Sequence, residues 1–300
     1  MNFLITGAWW QARENIDKIR QQGHEVMFLQ QEKDLLPCAY EWVEGVVCNG
    51  LFLHHPLERF PNLKFIQLTS AGFDRVPMED IARRGITLHN ARGVYSIPMA
   101  EYALGGILQL YKQFPYFEKN QRRHVWEKHR GLLELAGKTV CIFGCGSVGG
   151  ECAKRFQAFG CTVTGVDASE QIQPFFDAVR PAEALDCVLS EADIVVLTLP
   201  LTEKTRHLMD AGRFERMKHG AVLVNISRGA VVDTEAMIRA LQRGILSGAV
   251  LDVFEEEPLG ADSPLWDLKN VIVTPHNSFV GDQIQQRLTK CILDNLKNWK

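Results

Sequence analysis

The sequence predicts an α/β protein of parallel sheets covered by helices on both faces, and three observations predict it. Short apolar runs rich in β-branched residues recur along the chain, separated by helix-length segments. Most of these runs are continuous rather than alternating, the pattern of strands buried on both faces. From Gly137 to Asp167, one run opens directly into a glycine-rich turn and a helix. The chain has 300 residues, 46% of them hydrophobic, which is ample for two domains with real cores.

Asn2 to Thr6 reads as a strand, Glu14 to Gln22 as a helix and Glu25 to Leu29 as a second strand. Strands at Gly45 to Cys48, Lys64 to Leu68 and Ile86 to Leu88 complete a first unit that lacks a glycine fingerprint. Ligands of open parallel sheets meet the loops at the carboxyl ends of strands, so Gly50-Leu51-Phe52 and Thr69-Ser70-Ala71-Gly72 are its candidate loops. Small residues at Ser70, Ala71 and Gly72 leave backbone N–H groups for an anion such as a carboxylate, with a simple turn as the alternative. Trp9 and Trp10 follow the first strand and read as packing residues. Met99 to Tyr111 is an apolar helix. Lys112 to Arg130 then mixes Phe114, Tyr116, Phe117 and Trp126 with charges of both signs, the composition of an exposed arm or subunit contact.

Thr139 to Phe143 is the strand that enters Gly144-Cys145-Gly146-Ser147-Val148-Gly149, and helical periodicity follows through Cys152, Ala153, Phe156 and Phe159. Gly144 permits the tight turn, Gly146 lets backbone approach a pyrophosphate, and Gly149 lets helix and strand pack closely. The helix N-terminus presents unpaired N–H groups to phosphates. A second strand, Thr162 to Val166, ends in Asp167, about eighteen residues after the last glycine, where a carboxylate accepts from both ribose hydroxyls of an adenosine. Ala168-Ser169-Glu170 offers no cation for a 2′-phosphate, so the expected cofactor is NAD rather than NADP.

Strands recur at Asp193 to Thr198, Ala221 to Ile226, Gly248 to Val253 and Asn270 to Thr274; with a short strand near Ala178-Val179, a six-stranded doubly wound unit is expected. Asp282 to Trp299 is an amphipathic helix (Ile284, Leu288, Ile292, Leu296) suited to cross back to the first domain. At strand ends of the second unit lie Arg228, Glu257 and His276. Singly they read as a surface ion pair, a solvated acid and a turn residue; together, on one edge of a nucleotide-binding sheet, they read as a catalytic set.

Charged residues make up 23% of the chain and the formal net charge is −3, which leaves no footprint for nucleic acid or an anionic membrane. Met1 to Leu29 lacks the pattern of a signal peptide, and no stretch is apolar enough to span a bilayer, so a cytoplasmic location is expected. The eight cysteines mostly sit in apolar runs without ligand spacing and read as reduced core thiols, with no metal expected.

These stretches together resemble the D-isomer-specific 2-hydroxyacid dehydrogenase family. The likeness runs from Gln67-Leu68-Thr69-Ser70-Ala71-Gly72-Phe73-Asp74 through Ala100-Glu101, the fingerprint and Leu199-Pro200-Leu201-Thr202 with Thr205, to the Arg228, Glu257 and Thr274-Pro275-His276 loops. The resemblance implies an NAD-binding Rossmann domain (97–280) inserted into a flavodoxin-like substrate domain (1–96 plus 281–300), with catalysis between them and homodimers formed through the cofactor domains. It implies that Arg228 grips the carboxylate and carbonyl of a small 2-oxo or 2-hydroxy acid, that His276 is the acid/base, and that Glu257 orients it. It places Gly144, Gly146, Ser147, Val148, Gly149, Asp167, Pro200, Thr205, Ile226, Ser227 and Asp252 at the cofactor. Ser70, Ala71, Gly72, Leu51, Tyr95 and Phe279 fall at the substrate. Asn277-Ser278-Phe279-Val280-Gly281 departs from the small-residue run common after the catalytic histidine; Phe279 and Tyr95-Ser96 are similar to the D-lactate dehydrogenase branch. Two alternatives stay open: an NAD(H)-sensing corepressor-like binding protein on the same fold, and a short-form phosphoglycerate dehydrogenase.

Overall fold

Every strand-length apolar run becomes a parallel strand in the computed structural model, which describes residues 1–168 and 174–298. The chain divides into two compact units, Met1–Tyr95 with Gly281–Lys300, and Ser96–Val280. The first unit runs β1 (Asn2–Thr6), α1 (Ala12–Gln21), β2 (Glu25–Leu29), β3 (Gly45–Cys48), β4 (Phe65–Leu68), α2 (Met78–Arg83) and β5 (Thr87–His89), and the C-terminal helix Ile284–Asn298 returns to it. Its strands pair in the order β2-β1-β3-β4-β5, the flavodoxin-like arrangement with its switch point between β1 and β3.

Alternation along β1 fills both faces of that sheet. Phe3 and Ile5 join Trp9, Phe65 and the stripe Ile284, Leu288, Ile292 and Leu296 of the C-terminal helix, while Leu4 joins Val46, Leu51, Phe60 and Ile66. Trp9 is buried, and its indole N–H donates to the Thr289 hydroxyl at 3.1 Å; Trp10 is exposed. Ile292 is wholly buried, so truncation to Ala there would cost about 2–5 kcal/mol. The C-terminal helix starts at Ile284 rather than Asp282, and Trp299 lies outside the described residues.

The second unit begins with α3 (Ser96–Tyr111) and α4 (Phe114–Arg122), and continues with β6 (Thr139–Phe143), α5 (Ser147–Ala158), β7 (Thr162–Val166) and β8 (Ala178–Arg180). Then come α6 (Leu185–Glu191), β9 (Ile194–Leu197), α7 (Ala211–Arg216), β10 (Ala221–Asn225), α8 (Thr234–Gln242), β11 (Leu246–Leu251) and β12 (Val271–Val273). Helix α3 starts three residues earlier than apolar periodicity suggested, because Pro98 sits in its first turn, where a missing N–H is not needed. The order β12-β11-β10-β9-β6-β7-β8 makes seven parallel strands among the described residues rather than the six expected. All seven answer to runs read as strands in the sequence, so the expected total was one short; the edge strand β12, read as Asn270 to Thr274, pairs with β11 from Ala249↔Val271 to Leu251↔Val273.

Strand order reverses between β6 and β9, so the loops leaving these two strands flank the switch point where ligands of such sheets bind. Helix α3 lies close on the sheet: a Cβ at Gly106 would come 2.5 Å from Val250 Cγ1. Five cysteines (48, 141, 145, 152 and 161) are buried, but Cys187 is exposed, contrary to a uniform reading as core thiols. Among the described residues, no helix is long and apolar enough to cross a membrane.

Candidate active site

The fingerprint loop is built as its glycines require. Gly144 has φ +96°, and a Cβ on it would press within 3.1 Å of the Thr198 carbonyl. A Cβ on Gly149 would lie 2.0 Å from the Gly144 oxygen, so only glycine lets α5 start this close to the turn. Gly146 differs, since nothing lies within 4 Å of its would-be Cβ, so the space against its backbone is open. It is also the N-cap of α5, without a side-chain cap and with no acid in the first turn, so the helix start at Ser147 and Val148 keeps its affinity for an anion. Asp167, directly after β7, accepts the Cys145 N–H at 2.6 Å, which brings its carboxylate beside the glycine turn. These residues fit a dinucleotide: an open, uncapped helix start for the pyrophosphate and an acid one strand over for the ribose. Ser169 and Glu170 lie outside the described residues.

The facing loop leaves β9. Thr198 donates its hydroxyl to the Gly144 carbonyl at 2.7 Å, tying the two switch-point loops together. Thr205 gives its hydroxyl to the Pro200 carbonyl at 2.8 Å and accepts the Thr202 N–H at 2.8 Å, so it shapes the 200–205 turn. After β10, Asn225 Oδ1 accepts both the Ser227 hydroxyl (2.8 Å) and N–H (3.1 Å), and its Nδ2 donates to the Arg228 carbonyl at 3.1 Å. Ile226 and Ser227 are buried by this turn, and Arg228 emerges half-buried, donating from Nη1 to the Ser227 carbonyl at 2.8 Å.

After β11 and β12 the proposed acid/base pair assembles. His276 Nδ1 lies 2.8 Å from Glu257 Oε2, and Glu257 Oε1 accepts the Phe254 N–H at 3.0 Å. Beneath them Asp252 is wholly buried: its carboxylate accepts the N–H groups of Asn277 (2.7 Å) and Ser278 (2.8 Å) and the Thr274 hydroxyl, and its carbonyl accepts the His276 N–H at 2.8 Å. Four such bonds hold His276 at φ +51°, a left-handed conformation that histidine tolerates better than most residues. The Phe279 ring meets the His276 ring edge-on at 6.1 Å. Arg228, Glu257 and His276 thus sit on three loops at one edge of the seven-stranded sheet. Among the described residues, no three His, Cys, Asp or Glu side chains gather as a metal site.

Within the first unit, the loop after β4 is turned by its own carbonyls. Ala91 N–H donates to Ser70 O at 2.8 Å, Asn90 Nδ2 to Ala71 O at 2.6 Å and Ser70 Oγ to Gly72 O at 3.1 Å. Tyr95 gives its hydroxyl to the Thr69 carbonyl, and burial pushes its pKa up to about 12, so it acts as a neutral donor bracing the same loop. Leu51 is a correction: expected at a substrate, it is wholly buried in the core behind β3, because the short helical turn after that strand points it inward; Leu53 is the exposed apolar side chain of the turn.

Sequence reasoning passed over Asn225 and did not single out Glu255 or His207. Asn225 carried a weak signal, a polar residue ending an otherwise apolar run. The other two join only through the fold.

Residues 104–278 match the model of the D-isomer specific 2-hydroxyacid dehydrogenase, NAD binding domain. A glyoxylate reductase of Thermofilum pendens is 34% identical over 247 residues, 80% of this chain and 73% of the relative. Among solved structures, a D-isomer specific 2-hydroxyacid dehydrogenase from Xanthobacter autotrophicus Py2, in complex with NADPH and MES, superposes with TM-score 0.80 at 30% identity, over 98% of this chain and 93% of the other. A D-lactate dehydrogenase from Aquifex aeolicus complexed with NAD and lactic acid gives TM-score 0.78 at 27% identity, over 99% and 94%. With the fingerprint built for a dinucleotide and most of the chain aligned to such relatives, the chain belongs to the D-isomer specific 2-hydroxyacid dehydrogenases, NAD-dependent oxidoreductases that interconvert 2-oxo acids and D-2-hydroxy acids.

Proposed function

We propose that this chain reduces a small 2-oxo acid of the glyoxylate, hydroxypyruvate or lactate type, with Arg228, Glu257 and His276 as its catalytic residues. The observation that carries this reading is the 2.8 Å contact of His276 Nδ1 with Glu257, on a loop pinned from below by Asp252. With Nδ1 turned to the carboxylate, Nε2 is the nitrogen that delivers a proton to the substrate oxygen, and Glu257 holds the ring in the orientation for that transfer. The nicotinamide, when bound, supplies the hydride to the carbonyl carbon. Arg228 presents a planar fork that matches a carboxylate through two parallel bonds and orients the carbonyl, a geometry lysine does not reproduce. On the first unit, the turned loop Ser70-Ala71-Gly72 carries backbone N–H groups of the kind that hold a carboxylate. In the oxidative direction, neutral His276 takes the hydroxyl proton. The cofactor contacts fall to Gly144, Gly146, Ser147, Val148, Gly149 and Asp167, with Pro200, Thr205, Ile226 and Ser227 shaping the opposite wall.

Similarity to a glyoxylate reductase supports short substrates, and Phe279 beside His276 sets the apolar side of the pocket. We place the enzyme in the cytoplasm as a homodimer. The test is NADH oxidation with pyruvate, glyoxylate, hydroxypyruvate, 3-phosphohydroxypyruvate and 2-oxoisocaproate, for wild type and His276→Ala. At least one short oxo acid turns over, and the variant loses on the order of 10² to 10⁴ in kcat with NADH affinity kept within a few-fold. Binding of NADH without turnover of any oxo acid would point instead to a redox-sensing binding protein.

A further inference from the structure

The acidic run after β11 carries a second histidine pair. Glu255 Oε2 lies 2.7 Å from His207 Nε2, just as Glu257 Oε2 meets His276 Nδ1 at 2.8 Å two residues later. The other oxygen of Glu255 accepts the Thr234 N–H, at the first residue of α8, at 2.9 Å. His207 comes from the loop after β9, and its own backbone is fixed to the loop after β10: its N–H donates to the Ala230 carbonyl at 2.8 Å, and the Met209 N–H to Val231 at 3.0 Å. Gly229, next to Arg228, closes the arrangement. A Cβ there would fall 1.8 Å from the Phe254 carbonyl carbon and 2.4 Å from the Glu255 nitrogen, so the Arg228 loop rests directly on the peptide that leads to Glu257.

Burial works to push the Glu255 carboxyl up, but the bonds from Thr234 and His207 together hold it below the usual carboxylate range, so it stays ionised and keeps both partners. The two side chains are 45% and 31% exposed, too open for their ion pair to matter much to folding. Geometry is what the pair controls, since one carboxylate joins His207 and the start of α8 to the segment that leads to Glu257, against which the Gly229 backbone packs.

We propose that Glu255, held by His207, is a positioning residue of the active site: it sets the 254–257 segment so that Glu257 stays on His276 and the Arg228 loop keeps its seat. The proposal rests on the reading of Arg228, Glu257 and His276 as the catalytic set. Glu255→Gln keeps an amide oxygen for the Thr234 N–H and removes the charge that holds His207. His207→Gly deletes the ring at a backbone φ of +48°, which glycine adopts without strain. His207→Gln retains a donor and is the conservative rescue.

The experiment compares these variants with wild type and Glu257→Gln in the NADH-dependent reduction of the best oxo acid, recording kcat and KM across pH, NADH binding by fluorescence, and Tm. Glu255→Gln and His207→Gly are expected to lower kcat by roughly ten- to a hundredfold, since small misplacements at a reacting centre carry penalties of that order. The loss falls on kcat, as in Glu257→Gln, with KM for the oxo acid, NADH affinity and Tm little changed. The double variant is no worse than the worse single one, because both remove one interaction, and His207→Gln recovers much of the rate. Wild-type kcat in Glu255→Gln and His207→Gly, beside an impaired Glu257→Gln, would overturn the positioning role alone. An unchanged Glu257→Gln would overturn the catalytic reading and the proposal with it.

Discussion

Asp167 is where a single side chain decides most. Its carboxylate stands beside the fingerprint turn through the Cys145 N–H, at the place where an adenosine ribose meets this kind of sheet. A 2′-phosphate brought there meets a negative charge. NADH is therefore expected to be preferred over NADPH by at least about tenfold in kcat/KM, equivalent to about 1.4 kcal/mol, and Asp167→Asn to narrow that gap. A relative was crystallised with NADPH, so the comparison is a real one within the family. Equal use of the two cofactors by the wild-type protein would sink this role for Asp167. Arg228, Glu257 and His276 stood out in the sequence because each lies in a short, polar stretch beyond a strand. Asp252 was legible as a residue but not as a foundation: that its carboxylate holds the Asn277 and Ser278 N–H groups follows only from β11 and β12 being neighbours.

The strands were readable at the scale of elements because a parallel strand buried on both faces leaves a nearly unbroken apolar run, and β9 (Ile194–Leu197) and β10 (Ala221–Asn225) are buried throughout. Which side a loop residue faces was not readable, and Leu51 shows why: the helical turn after β3 rotates it into the core, and no alternation pattern extends into such a turn. Asp193 shows how the elements of the second sheet are tied. It accepts the Thr139 N–H at 2.9 Å and the Lys218 ammonium at 2.7 Å, joining the start of β6 to the entry of β9 and the end of α7. Burial is the largest single influence on this carboxyl and pushes it up, but the bonds from Lys218 and Thr139 outweigh it and hold it below the ordinary value. A carboxyl depressed in the folded state adds stability that is present above the unfolded value and lost as pH falls through the folded one. Asp193→Asn is thus expected to cost about 1–2 kcal/mol at neutral pH, with the gap to wild type closing in acid, as urea melts at neutral and low pH would record. A gap that stayed constant in acid would remove the charge from the explanation.

At the scale of the whole molecule, the segment around α4 carries exposed apolar groups that its own folding does not cover. From α4 toward β6 the chain forms an arm on which Trp126 is 98% exposed, Phe114 54%, Leu133 44% and Val125 40%. Tyr116 stacks edge-on against both Phe117 (5.3 Å) and His129 (5.0 Å), so the arm has internal order without covering these apolar groups. Isolated exposed apolar residues are ordinary, but a concentration of them within twenty or so residues is characteristic of surfaces that meet another protein. The arm also carries Glu118 paired with Arg122, and charges of both signs favour a self-complementary contact over a nucleic acid. A second copy of the chain is the partner expected. Sedimentation should then give about twice the 33.9 kDa chain mass, and Trp126→Ser combined with Phe114→Ser should shift the equilibrium toward the monomer. Tryptophan quenching by acrylamide tests the same contact independently, since Trp126 is shielded in a dimer and fully open in the monomer, giving stronger quenching on dilution. A wild-type protein that sediments as a monomer at every concentration, with quenching unchanged on dilution, would take the arm out of subunit assembly.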